Sequence, residues 1–277
     1  MKNKLPKLDV VLIATIRADT LRMTLSSFTK NFLHQFDVRI IITVDPVGET
    51  EKNSQMDIVE ICREYFDKVT HRTPKTASFS DAVKWAWQQV ETELFFHLED
   101  DWILKRKVSA QENIDLFQDE NVVNVIFNKY PQEGNFLHVN KVEFYNKKYI
   151  YFPSISLNPS LFRTRYSKEL ANKLDTARDP EFQFGGDNAT ELYPNPKFLW
   201  RVSKTSLIID TGNSWRRAVF IHKSAGDDIT TKWISVNSRI RIRDRIRKIK
   251  RTALYCLRKW YWQVRYCRPL DPPKKRT

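Results

Sequence analysis

Between Asp9 and Phe127 the chain switches back and forth between two hydrophobic periods, and this alternation restricts the fold more than any other feature. Asp9–Ile16 is a near-continuous β-rich apolar run, too short to span a bilayer and bounded by charge at Asp9 and Arg17. Ala18–Leu33 then places Leu21, Leu25, Phe28 and Phe32 on one helical face, with Asp19 as its expected N-cap. Val38–Val44 reads as a second buried strand, Met56–Phe66 as a helix with Ile58, Ile61, Cys62 and Tyr65 inward, and Lys68–Thr70 as a short strand. A helix at Ser80–Val90, a strand at Leu94–Leu98, a helix at Val108–Gln118 and a strand at Val122–Phe127 complete the series. Alternating units of this length predict an α/β fold with a mainly parallel sheet covered by helices.

Beyond Asn128 the pattern weakens. A loop with a hairpin is expected up to Tyr151, then a short strand within Ser154–Arg163 that enters a helix at Ser160. Asp179–Tyr193 contains Gly185-Gly186-Asp187, and the strand-like runs Phe198–Val202 and Ser206–Ile209 read as a pair. Three scattered cysteines form neither a disulfide framework nor a zinc cluster, which favours a reducing compartment, and neither a spanning helix nor a secretory signal is apparent.

The net charge of +14 is concentrated at one end. Residues 238–277 carry 15 Lys+Arg against 2 Asp+Glu, leaving 32 against 31 in residues 1–237. The reading is therefore one body, 1–237, with halves at about 8–128 and 129–237, followed by a basic tail, 238–277. Within the tail, Ile242, Ile246, Ile249, Ala253, Leu257, Trp260, Val264 and Cys267 recur at steps of three and four. That is a basic amphipathic helix. With Trp260, Trp262 and neighbouring tyrosines, it suits the headgroup plane of an anionic membrane, and the apolar stripe disfavours nucleic acid.

In an open parallel sheet, ligands bind beyond the carboxyl ends of the strands. Thr15-Ile16-Arg17 follows the first strand, Asp45 the second, and Glu99-Asp100-Asp101 the fourth. Adjacent carboxylates at one strand end repel one another, and a divalent cation would compensate them. Oxygen ligands suit Mg or Mn bridging the phosphates of a nucleotide.

With VVLIATIRADTLRMTLSSF, the strand ending in Val44-Asp45, and above all FFHLEDDW, the chain resembles the GT-A class of nucleotide-sugar glycosyltransferases. SISLNPSLFR, Asp179-Pro180-Glu181 with GGDNATE, and IIDTGNSWRR before His222 resemble the bacterial inverting, family two-like members, over roughly residues 8–225. The acidic motif departs from strict Asp-x-Asp by beginning with Glu. The resemblance implies metal contact by Asp101, with Glu99 and Asp100 on ribose or metal-bound water and His222 completing the metal site. It places Asp45 at the nucleobase and Thr15 and Arg17 at the nucleoside or diphosphate; Trp102, from its position beside the acidic cluster, is a candidate to line the sugar pocket. The catalytic base would be Asp187, or else Glu181 or Glu191; the glycines before Asp187 allow close approach to substrate.

The resulting expectation is a metal-dependent glycosyltransferase, hexosyltransferase in type and, by that resemblance, inverting in outcome. It would move a sugar from a nucleotide-sugar, a UDP-sugar by preference, to a cell-envelope or lipid-linked glycan, as in polysaccharide biosynthesis. Its expected location is cytoplasmic, peripheral on the inner face of the plasma membrane. The rivals are a non-catalytic membrane- or nucleic-acid-binding protein on a degenerate sugar-nucleotide fold, and a sugar-phosphate nucleotidyltransferase. Against the latter, no glycine-rich, Arg-containing loop follows the first strand.

Overall fold

The computed structural model describes residues 5–128, 143–183, 195–219, 221–224, 232–235 and 242–266. Its first half follows the alternation. Strand β1 (Lys7–Ile16) leads to α1 (Ala18–Asn31), β2 (Asp37–Gly48) to α2 (Gln55–Tyr65), and β3 (Lys68–Arg72) to α3 (Phe79–Gln88) and β4 (Leu94–Glu99). β5 (Trp102–Leu104), α4 (Ala110–Ile114) and β6 (Val122–Ile126) follow. The second half comprises β7 (Phe144–Asn146), β8 (Tyr149–Phe152), β9 (Ser160–Arg163), α5 (Thr164–Lys173), α6 (Pro180–Gln183), β10 (Lys197–Arg201) and β11 (Ile208–Asp210). Last come α7 (Gly212–Val219), the hairpin β12 (Ile221–Ser224) and β13 (Lys232–Ser235), and α8 (Ile242–Tyr266).

Nine strands form one sheet in the order β3-β2-β1-β4-β9-β6-β10-β8-β7. Only β9 and β8 run against the other seven, so the sheet is mixed but mainly parallel. β1 shows why both faces must be covered, since its successive side chains point to opposite sides. Val10, Leu12 and Ala14 join a core with Leu21, Leu25 and Phe28 of α1 and Ile58 and Cys62 of α2. Val11 and Ile13 face the other way, toward Ala82, Val83 and Trp87 of α3 and Tyr166 and Leu170 of α5. His97, fully buried on β4, accepts from Trp87 Nε1 at 3.4 Å, and burial drives its imidazole down to about 3, so it is a neutral core residue.

Four local expectations are corrected by tertiary pairing. Arg17, not Asp19, occupies the N-cap position of α1 and makes no side-chain cap bond; Asp19 lies in the first turn, where its charge suits the helix dipole. Ser160 begins a strand, with the helix starting only at Thr164, because β9 is wholly buried between β4 and β6 and its backbone groups find ladder partners there. Phe198–Val202 and Ser206–Ile209 do not pair with each other: β10 lies between β6 and β8, and β11 pairs with β5 across the Asp101 turn. Val108–Gln118 is a short α-turn, α4, followed by a 3₁₀ turn.

Candidate functional site

Strand order explains where the polar residues gather. β1 lies between β2 and β4, and the chain leaves β1 toward β2 but returns to β4 on its other side, creating a switch-point crevice at the carboxyl ends. An open cleft there is lined by Thr15, Arg17, Asp45, Glu99, Asp100 and Asp101, together with Ile13, Ala14, Phe79 and Arg216. Six residues singled out from the sequence therefore share one cleft.

The β1–β2 register breaks beside it. Thr15 pairs with Asp45, but Ile16 pairs with Gly48, so the chain bulges directly after Asp45. Gly48 has φ +124, and a Cβ there would stand 2.4 Å from the Ile16 carbonyl oxygen, so the bulge requires glycine.

At the floor of the cleft the carboxylates of Asp100 and Asp101 converge on one buried guanidinium. Arg17 Nε donates to Asp100 Oδ2 at 3.1 Å, Nη2 donates to Asp100 Oδ1, and Nη1 donates to Asp101 Oδ2 at 3.1 Å. Thr15 adds its backbone N–H, at 3.0 Å, and its hydroxyl, at 3.2 Å, to Asp100 Oδ2. Arg17, Asp100 and Asp101 are each under 5% exposed. Burial alone would weaken the charge on Arg17, but the two carboxylates outweigh it and hold the guanidinium protonated. Burial also pushes the Asp100 carboxyl upward, against the opposing pull of Arg17.

The C-terminal half closes over this cluster. Thr211 donates both its N–H and its hydroxyl to the Asp101 carbonyl at 2.8 Å. α7 begins at Gly212, where a Cβ would come within 1.9 Å of Asp101 Oδ2, so this close approach also needs glycine. Trp215 lies over the Arg17 guanidinium, 5.1 Å from ring centroid to Cζ, and its Nε1 donates to Glu49 Oε1 at 3.1 Å. Arg216 enters the cleft from the same helix. The sequence alone does not mark Phe79, Gly212, Trp215 or Arg216 individually as site residues. The signal was the run IIDTGNSWRR, whose spacing alone does not say which strand end it meets.

Asp45 stands apart from the ion-pair cluster. Burial drives its carboxyl up to about 7, against a backbone hydrogen bond from Ser78 and the charge of Arg72, and its Oδ1 is buried without a hydrogen-bond partner. A carboxyl raised this way favours the folded state at low pH, and that advantage is lost as pH rises from about 4 to about 7. Asp45→Asn should therefore gain on the parent by about 3 kcal/mol between pH 4 and pH 8, read by urea unfolding. A difference that stays flat with pH would mean that Asp45 ionises normally.

Other expected site residues lie elsewhere. Trp102 is not in the cleft: it is buried in the core cluster on the α1 side of the sheet, with its backbone N–H bonded to Thr24 Oγ1. Glu181 accepts from Leu157 N at 2.8 Å and Ser156 Oγ at 3.4 Å. Asp187 and Glu191, and the side chain of His222, lie outside the described residues.

The resemblance implies a divalent cation, and the cleft offers it few free donors. Asp100 spends both oxygens on Arg17 and Thr15, and among the described residues no group of three His, Cys, Asp or Glu is arranged around a metal position. Asp101, with Glu99 at the rim, still fits the sparse kind of Mg or Mn site in which one or two carboxylates share the ion with water and phosphate. Formal charges leave Arg17, Asp100 and Asp101 together at −1.

No protein-family model matches the chain, and no curated protein matches its sequence. Solved structures do match. GalNAc-T7, in a structure with UDP, GalNAc and Mn2+, aligns at a TM-score of 0.50 and 13% identity over 76% of this chain and 44% of its own. The mannosyltransferase PcManGT from Pyrobaculum calidifontis, in complex with GDP-Man and Mn2+, aligns at 0.51 and 13% identity over 78% of this chain and 62% of its own. The chain thus spans about half the length of these two proteins. Likeness at this level of identity speaks for architecture alone, and with the mainly parallel sheet and the cleft at its switch point it identifies the fold as the GT-A fold of the glycosyltransferases.

Proposed function

We propose that the protein is a metal-dependent, inverting glycosyltransferase that takes a hexose from a nucleotide-sugar, a UDP-sugar by preference, to a cell-envelope or lipid-linked glycan. The observation that carries the reading is the convergence of Thr15, Arg17, Asp45, Glu99, Asp100 and Asp101 in one switch-point cleft. The residual negative charge on the acidic cluster favours a cation, which Asp101 would hold with Glu99 beside it and His222 as a further ligand. Bound there, Mg or Mn would neutralise charge on the departing diphosphate.

The chain's own groups do the rest. Asp45, with a buried unpaired oxygen and a carboxyl that titrates near 7, is suited to exchange a hydrogen bond with a nucleobase edge. Arg216 brings a cation to the cleft for the diphosphate. Arg17 and Thr15 fix Asp100, which in turn holds the backbone from which Asp101 projects. Asp187 is the preferred base for the acceptor hydroxyl, with Glu191 as an alternative; Glu181 already spends Oε1 on the Ser156–Leu157 turn. Two arms test the proposal. Nucleotide-sugar hydrolysis should require Mn or Mg, and Asp187→Asn should keep donor affinity while losing about 10²- to 10⁴-fold in turnover. Donor binding without any hydrolysis or transfer would favour the degenerate binder.

We place the enzyme on an anionic membrane surface through α8, with one revision to the lipid-facing set. Trp262 is 8% exposed and packs on Met23 and Ile103, so it faces the body. Leu257 and Trp260 are exposed, as are Leu254, Tyr261 and Val264. The side chains of Ile242, Ile246 and Ile249 lie outside the described residues, and among those described no helix is long and apolar enough to cross a membrane. The paired change Leu257→Glu and Trp260→Glu in the full chain should abolish co-sedimentation with anionic vesicles; unchanged co-sedimentation would refute the placement.

A further inference from the structure

From its sequence the basic tail looks like a detachable anchor, but its packing assigns it a second role. The inward face of α8 holds together the elements that meet at the acidic cluster. Trp262 packs on Met23 of α1 and Ile103 of β5, with Tyr255, Tyr266 and Ile209 of β11 around them. The Tyr255 hydroxyl interacts with the Thr20 side chain, and Lys259 forms an ion pair with Asp19, both in the first turn of α1. Arg258 Nη1 reaches Ser214 Oγ of α7 at 3.5 Å.

Each of these four elements begins or ends at the cluster. α1 starts next to Arg17, β5 leaves directly from Asp101, β11 runs into Thr211, and α7 starts at Gly212 against Asp101 and carries Trp215 over Arg17. β5 and β11 form a two-stranded ladder outside the main sheet, tied to it through the Asn128 carbonyl after β6, which accepts from Leu207 N at 2.9 Å, and to α1 through Thr24, Ser27 and Asn31. Trp262, with a large aromatic surface and few rotamers to lose, is well suited to hold such a ladder against α1.

We infer that α8 is a brace of the site, with Trp262 and Tyr255 as positioning residues that act on Asp101 and Arg17 through α1, α7 and the β5–β11 ladder. The catalytic side of this inference rests on the glycosyltransferase reading; the structural side does not. Displacing reacting groups by about 1 Å through a remote change is enough to lower a rate about 10²-fold. The Asp101 carboxylate and its arginine are held by elements that α8 packs against from outside.

The test uses the full chain with Trp262→Ala, Trp262→Phe and Tyr255→Phe. Trp262→Ala should lower kcat/KM for nucleotide-sugar hydrolysis about 10²-fold, with both KM and kcat affected, and Trp262→Phe should recover most of it. Tyr255→Phe, which keeps the ring and removes the hydroxyl that faces Thr20, should fall between them. Hydrogen exchange provides a readout independent of activity. In Trp262→Ala, amides of residues 15–25, 101–104 and 208–216 should exchange at least tenfold faster, while β6, β8 and β10 stay at the parental rate. Parental kinetics in Trp262→Ala, or faster exchange spread evenly over the sheet, would overturn the brace. If neither parent nor variants turn over any nucleotide sugar, the glycosyltransferase reading fails, and the exchange pattern alone decides the brace.

Discussion

Replacing Arg17 by alanine should destabilise the fold by about 3–5 kcal/mol, the range for removing one partner of a buried ion pair. The guanidinium is the shared donor to two carboxylates that are 1% and 4% exposed, and water cannot take its place without opening the floor of the cleft. Removing it leaves Asp100 and Asp101 as neighbouring buried charges. The variant can relieve part of this by protonating Asp100, whose carboxyl burial already pushes upward. Its deficit should therefore shrink as pH falls toward 4 and be largest near pH 8. Arg17→Lys should recover only a fraction, since an ammonium cannot reproduce the two-point contact with Asp100 or lie flat beneath Trp215. Denaturant unfolding at several pH values decides the matter: a loss under 1 kcal/mol at pH 8 would mean that the cluster is compensated by other groups.

The second large effect is catalytic. If the proposed function holds, Asp101→Asn should lower metal-dependent turnover of a nucleotide sugar by about 10²- to 10³-fold or more, since the amide keeps the shape but removes the charge that would hold the cation. Its effect on stability should be small by comparison. Asp101 contributes one of the three Arg17 side-chain contacts, and its backbone carbonyl, which holds Thr211, is untouched by the substitution. Calorimetric titration of donor with Mn separates binding from chemistry. A folded variant with parental donor affinity and turnover would remove Asp101 from the site.

Much of the first hundred residues was legible because their chemistry is local. A buried parallel strand must be an apolar run, a covering helix must show the 3.6 period, and the residues that end such strands fall where the sheet opens. Those rules are enough to find Thr15, Arg17, Asp45 and Glu99–Asp101, and they all line one cleft. The helical period of the tail likewise marks residues 242–266 as a helix.

Tertiary structure decided what depends on partners distant in sequence. The charge-compensation argument looks to an external cation for Asp100, whereas the fold supplies Arg17, 83 residues away, for both of its oxygens. Ser160 enters a strand because β4 and β6 offer it a ladder, and no local preference encodes that. In the tail, the three- and four-residue spacing defines a helix but cannot say which aromatic residues face the body. Trp262 and Trp260 are two positions apart, so they lie on different faces of the helix, and only the surface formed by Met23, Ile103 and Ile209 determines that Trp262 is buried while Trp260 remains exposed. Periodicity records the shape of each element; the contacts between elements, which set charge pairing and the choice of buried face, exist only once the chain is folded.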